Sequence, residues 1–232
     1  MEILNSCFNP SFLIGFPTFF RRVSSIMSRR KTFVLATHNI HKQSEMSSIL
    51  SNLEVRLIGL DQFPEIKDIE ETGTTLVENA LIKARTVYRL TGLPSLSDDT
   101  GLEVDALNGA PGVYSARYAG ENPTFEENVN KMLGALSGTP YNKRTARFRT
   151  VVSFVDGKTE LIEEGVIEGI ITESIQGNDG FGYDPIFKPE NENRTFAEMS
   201  KIEKSFISHR GRALEKMKKT LNLYFKKGVF ID

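Results

Sequence analysis

Phe33-Val34-Leu35-Ala36-Thr37-His38-Asn39-Ile40-His41-Lys42 is the stretch on which the fold turns. Its first four residues form a short apolar run with β-formers, the pattern of a buried strand. Directly after it, Ile40, Met46, Ile49, Leu50 and Leu53 fall on one face of a helix. A strand feeding a helix through a polar turn is the unit of an α/β fold, and the alternation continues downstream. A second helix is expected to begin near Thr75. Thr75 and Glu78 have capping-box spacing, in which the Thr oxygen takes one free N–H and the Glu reaches back to another. Leu76, Val77, Ala80, Leu81, Ala84, Val87 and Tyr88 form its apolar stripe, and Gly92 suits its end. Thr124 and Glu127 repeat the box ahead of Val129, Met132, Leu133 and Leu136. Strands follow. Phe148, Thr150, Val152 and Phe154 alternate with Arg147, Arg149, Val151 and Ser153, Asp156-Gly157 reads as a hairpin turn, and Gly165 to Thr172 as the next strand. Gln176 to Pro189 is expected to be a loop. Ser200 and Glu203 open a helical end with a stripe of Leu214, Met217, Leu221 and Tyr224.

The chain has 232 residues, 39% of them hydrophobic, enough for a sizeable core. Lys plus Arg (29) and Asp plus Glu (30) nearly cancel, so the chain is not built to coat nucleic acid or an anionic membrane. No stretch reaches the roughly 18 apolar residues of a membrane span, since Pro10, Gly15 and Pro17 interrupt Phe8 to Phe20. The single cysteine, Cys7, excludes an internal disulfide framework and a Cys-rich zinc site and fits a reducing, cytoplasmic setting. Residues 1–30 read as a poorly ordered extension, with Met27 just before the first convincing strand. Residues 31–228 read as one domain, since no composition break marks a linker.

Four constellations can carry chemistry. Thr37 to Lys42 lies between strand and helix, where free N–H groups and a lysine can hold phosphate; equally, Asn39 can cap the helix with Lys42 on the surface. Glu70-Glu71 and Asp98-Asp99, both expected in loops, offer hard oxygen ligands for Mg²⁺ and a base for water; equally, they can form a solvated run and a turn. In Gly177 to Pro189, Phe181 between two glycines can stack on a planar base, and Asp184 can accept from a ring N–H, or the aromatics can plug a core gap. In Lys204 with Ser208-His209-Arg210-Gly211, Arg210 can donate to a carbonyl oxygen and His209 to a second acceptor, or the group can form a basic patch. The histidines His38, His41 and His209 lack the i, i+4 spacing of a zinc protease, and no Gly-x-Ser-x-Gly elbow is present. Gly177, Gly180 and Gly182 have the wrong spacing for a dinucleotide loop.

Taken together and in order, these motifs resemble the inosine triphosphate pyrophosphatase (Ham1-like) family. The matching residues are Ala36-Thr37-His38-Asn39, Lys42 and Glu45, then Glu71-Thr72-Gly73 with Glu78-Asn79-Ala80, then Ser97 to Val104. They continue through Gly109 to Arg117, Gly180 to Phe187, Glu203-Lys204 and Ser208 to Gly211. The resemblance implies an elongated α/β domain whose mixed sheet forms two lobes around a cleft, usually in a homodimer. It implies Mg²⁺-dependent hydrolysis of ITP, dITP and XTP to the monophosphate and pyrophosphate. By the same resemblance, the Thr37, His38, Asn39, Ile40, His41 and Lys42 loop binds the triphosphate. Glu71 and Asp99 hold the metal, Asp99 also activates water, and Thr100 contacts substrate. Phe181, Gly182, Tyr183 and Asp184 frame the base, completed by Lys204, His209 and Arg210. His38 and His41 stand where that family often has glycine, and Thr100 where serine is common. A Maf-like pyrophosphatase for other nucleotides and a non-catalytic nucleotide sensor are the rival readings.

Overall fold

The computed structural model describes residues 31–226; the expected extension over residues 1–30 lies outside them. Among the described residues the seven strands are β1 (Lys31–Leu35), β2 (Val55–Gly59), β3 (Ser95–Val104), β4 (Pro111–Gly112), β5 (Thr145–Val155), β6 (Glu160–Ile171) and β7 (Phe187–Pro189). Five α-helices accompany them among the described residues: α1 (Ile40–Ile49), α2 (Leu76–Thr91), α3 (Phe125–Ala135), α4 (Lys201–Ile207) and α5 (His209–Lys226). One mixed sheet runs in the order β2-β1-β3-β5-β6-β7, with β4 paired to β3. β1 is parallel to β2 and β3, and the remaining pairs are antiparallel.

Two cores grip this sheet at its two ends. One gathers Phe33, Met46, Leu50, Leu96, Val152, Phe154 and the α5 residues Leu214, Met217 and Leu221. The other gathers Leu102, Val104, Val129, Met132, Phe148, Ile167, Phe187 and Phe196. β3 and β5 pass through both, which is how one sheet carries two lobes. Between Leu96 and Leu102 the strand holds Asp98, Asp99 and Thr100. β1 pairs with β3 only at Ser95 and Leu96, and β4 joins it only at Leu102 and Glu103. The intervening edge of β3 is therefore open, and its polar residues lie beside a gap in the sheet.

The capping boxes form as the spacing dictates at Thr75/Glu78, Thr124/Glu127 and Ser200/Glu203. Gly92 ends α2 in the left-handed region at φ 68°. Several expectations are corrected. Asp98 and Asp99 lie inside a ten-residue strand, not a loop. Ile40 opens α1 but is 71% exposed, because it stands about 120° around the helix from Met46. β6 begins at Glu160, five residues before Gly165; its early charges sit on the solvent side and pair with Arg85 and Arg149. The end of the expected loop, Phe187–Pro189, is an edge strand on β6, a position that tolerates proline. The helical end is broken at Ser208, which is extended (φ −67°, ψ 155°) and accepts from Gly211 N through Oγ.

The close approach of α5 to β6 depends on Gly165. A Cβ there would stand 2.1 Å from the carbonyl oxygen of His209 and 2.5 Å from the backbone nitrogen of Ala213. Neither can move without shifting the helix that carries His209 and Arg210. Gly165→Ala is expected to cost about 1–3 kcal/mol of stability by overpacking, measured by urea unfolding.

Candidate active site

The alternation of side chains along β3 sends neighbouring carboxylates to opposite faces. Ser95 and Ser97 donate to the α2 carbonyls of Ala84 and Ala80, which marks that face as the α2 side, and Asp99 shares it. Leu96 packs with α5 on the other side, and Asp98 and Thr100 share that face.

On the α5 face, Asp98 is fully enclosed. Its Oδ1 lies 3.1 Å from Lys42 Nζ, and its Oδ2 accepts from Arg210 Nε at 2.9 Å. Arg210 also donates to Glu45 Oε2 at 2.6 Å and to Thr100 Oγ1 at 3.3 Å. Burial alone would suppress the charge on Asp98, but Lys42 and Arg210 outweigh it and hold the carboxyl well below the usual range. Burial pulls Lys42 down, with Asp98 opposing. Lys42 is thus no solvated surface lysine. Asn39 caps α1, its Oδ1 accepting from His41 N and Lys42 N. Thr37 Oγ1 accepts from Asn39 N, which shapes the turn. The capping and phosphate-loop readings of this stretch are therefore compatible, with the side-chain amide nitrogen of Asn39 left as the donor.

On the α2 face, Lys83 Nζ lies 2.5 Å from Glu71 Oε1 and 3.4 Å from Asp99 Oδ1. Arg117 approaches the other Glu71 oxygen at 3.6 Å. Gly73 N donates to Asn79 Oδ1 at 2.8 Å, which pins the Glu71 loop to α2. Asp99 Oδ2 is buried and without a hydrogen-bond partner. Burial pushes the Asp99 carboxyl up; Lys83 opposes this and Glu71 adds to it. Lys83 would be lowered by burial, but Asp99 and Glu71 raise it above its ordinary value.

At the far end, Phe181 N donates to Asp184 Oδ2 at 2.8 Å, and Lys204 Nζ lies 2.5 Å from the same oxygen. Asp184 is thus committed to Lys204, where the sequence suggested a ring N–H. Lys204 also lies 4.6 Å from the centroid of the Phe181 ring. Tyr183 is turned inward, its hydroxyl donating to Ser115 O at 2.8 Å. His209 is buried and stacks on Phe148, ring centroids 4.5 Å apart, with Nδ1 unpartnered.

These groups converge on one cleft, bordered by Asn39, Lys42, Glu71, Asp99, Thr100, Phe181, Gly182, Tyr183, Asp184, Lys204, His209 and Arg210. Thr37 and His38 border an adjoining hollow with Glu71 and Lys83. His38 Nε2 donates to Ile66 O at 3.1 Å, tying the first loop to the one that leads to Glu71. Ile40 and His41 do not border the cleft; Ile40 points to solvent and His41 lies on Phe181. Arg210 spends three donors on Asp98, Glu45 and Thr100, so it braces the cleft as well as bordering it. The sequence reading gave no role to Lys83 or Glu45 and passed lightly over Asp98. Lys83 left a signal: it interrupts the apolar stripe of α2 one turn after Ala80.

The fold and cleft define an α/β protein whose sheet parts around a charged, aromatic-ended site for a phosphorylated ligand. The chain belongs to the Ham1 family, whose sequence profile matches residues 33–220. A relative from Caldanaerobacter subterraneus subsp. tengcongensis, named dITP/XTP pyrophosphatase, is 47% identical over 186 residues, covering 80% of this chain and 93% of the relative. A relative of the same name from Coxiella burnetii is 47% identical, covering 83% and 97%. Among solved structures, a HAM1 protein from Coxiella burnetii superposes with a TM-score of 0.77 at 46% identity, covering 83% of this chain and 98% of that one. The Staphylococcus aureus Ham1 protein gives 0.75 at 38% identity, with the same coverage.

Two outcomes follow. Asp98→Asn leaves Lys42 and Arg210 without their shared counter-charge and is expected to cost about 3–5 kcal/mol in urea unfolding. Burial, aided by Arg210 and Lys204, holds His209 well below its ordinary 6.5. The unfolded chain then takes up a proton that the folded protein refuses, so stability falls as pH drops below about 6.5, by up to about 1.4 kcal/mol per pH unit. Unfolding free energies between pH 7 and 5 are expected to slope less steeply in His209→Gln.

Proposed function

We propose that this protein hydrolyses non-canonical purine nucleoside triphosphates (ITP, dITP and XTP) to the monophosphate and pyrophosphate, clearing them from the nucleotide pool. The observation that carries the reading is one cleft joining three parts. The capped helix end that carries Lys42 meets the buried Asp98-Asp99 pair, and both open onto an aromatic pocket edged with donors. The names of the relatives support the same activity.

Glu71 and Asp99 would hold Mg²⁺. They fit: both reach one ammonium, so a single cation suits the space between them, and Asp99 Oδ2 is buried without a protein partner. Two carboxylates leave room for waters and phosphate oxygens on such an ion. When bound, Mg²⁺ supplies charge neutralisation to the phosphates. Asp99 Oδ2 takes a proton from water as its oxygen bonds the α-phosphorus. The bond from that phosphorus to the α–β bridging oxygen then breaks and pyrophosphate leaves. A carboxylate raised by burial is better matched to this task than an ordinary one. Lys42 and Lys83 stabilise negative charge on the phosphate oxygens.

Phe181 stacks on the base, and His209, Lys204 and Arg210 present donors to a 6-keto oxygen. Adenine offers an amino group there, leaving buried donors unpaired. Residues 31–228 form the catalytic domain, and a cytoplasmic homodimer is the setting that the family resemblance implies.

The test is pyrophosphate release with Mg²⁺ from ITP, dITP and XTP beside ATP, GTP, CTP and TTP. Strong release from the first three, abolished by chelation, is expected. Release mainly from pyrimidine nucleotides, or tight binding without release, overturns the reading. Asp99→Asn is expected to fold and to lose about 10²–10⁴-fold in kcat; a near-normal rate would move the base elsewhere.

A further inference from the structure

Phe181 is a wall between two hollows. On one side lies the cleft with Asp99, His209 and Arg210. On the other lies a second hollow, bordered by His41, Glu45 and Met199. His41 borders only the second. Its imidazole lies nearly parallel to the Phe181 ring, at 14°, with centroids 5.3 Å apart. α1 sets this placement. Its capped first turn directs Lys42 to Asp98, while His41, about 100° around the helix, reaches Phe181.

We propose that His41 is a positioning residue for base recognition: it backs the Phe181 ring from outside the cleft, so that the purine stacks on the opposite face. This rests on the reading that Phe181 carries the base. The physical need is clear from the loop. Phe181 stands between Gly180 and Gly182, both at positive φ, on a segment without regular structure. A phenyl ring left to move there would have to be ordered by the ligand at a cost in affinity. Asp184 fixes its backbone nitrogen, Lys204 and Arg210 stand 4.6 and 5.5 Å from its ring centroid, and His41 adds the stacked aromatic contact. His41 borders the hollow that lacks Asp99 and Lys42, which argues against contact with the phosphates. The family resemblance alone would group it with them.

The test compares two ligands by calorimetry with Mg²⁺, an α,β-imido analogue of dITP and inorganic triphosphate, on wild type, His41→Gly and His41→Phe. His41→Gly is expected to weaken the analogue about two- to tenfold, the range of an aromatic pair, and to leave triphosphate unchanged. His41→Phe, which keeps a ring and carries no charge, is expected to bind both as wild type does. Equal weakening of both ligands in His41→Gly would make His41 a phosphate residue and overturn the proposal. Analogue affinity unchanged or improved in His41→Gly would also overturn it, as would loss in His41→Phe. Failure of the functional reading looks different: wild type would then bind the analogue no better than triphosphate, or bind it while releasing no pyrophosphate from dITP.

Discussion

The cleft depends on a single buried negative charge. Asp98 lies on β3, Lys42 on α1 and Arg210 on α5, and these elements meet where the sheet is open. Apolar packing alone could not hold them in register there, because the edge of β3 has no neighbouring strand between Leu96 and Leu102. A carboxylate enclosed at that point would be prohibitive without partners, and two cations enclosed without it would be equally so. The three are therefore interdependent, and Glu45 closes the set by taking a further Arg210 donor. The result ties α1, β3 and α5 together at one carboxylate.

Strand alternation then gives two adjacent carboxylates different chemistry. Asp98 and Asp99 share a backbone and nearly the same depth, but they face opposite sides. Asp98 has two cations and is held strongly ionised. Asp99 shares one ammonium with Glu71, and burial pushes it up. The first is an anchor, and the second keeps an oxygen uncommitted. A shift of register by one residue would exchange these environments, so the pairing of β3 with β5 at Asp98–Val152 and Asp99–Val151 is as much a part of the site as the side chains.

What was legible in the chain was what local chemistry determines. Thr75, Thr124 and Ser200 announce their helices because a cap bonds within its own turn. The stripe of α5 is equally plain. Asp98-Asp99 looked like a loop because acidic residues are poor strand formers in isolation; only Lys42 and Arg210, 56 and 112 positions away from Asp98, make that strand affordable. β6 starts early for the same reason, since Glu160 is matched by Arg85 and Glu164 by Arg149 on other elements. The fold brings Asn39, Lys42, Glu71 and Asp99 to one cleft and sets Thr37 in the hollow beside it. The geometry separated Ile40 and His41 from them, because helix rotation, not sequence adjacency, decides where a side chain points.

The charge balance of the cleft explains how a near-neutral chain can present a site for a polyanion. Lys42, Lys83, Lys204 and Arg210 each lie against at least one carboxylate, so the cleft is not a bare basic patch. Such cations are held in place before any ligand arrives, and little side-chain freedom remains to be lost on binding. They also attract free anions less strongly than unpaired lysines would, because much of their field is already neutralised. A ligand must therefore meet several of these groups at once, with phosphates at one end and a flat ring at the other, to gain from any of them. Pairing each cation internally trades indiscriminate affinity for selectivity, which suits a site that must pass over the abundant nucleotides.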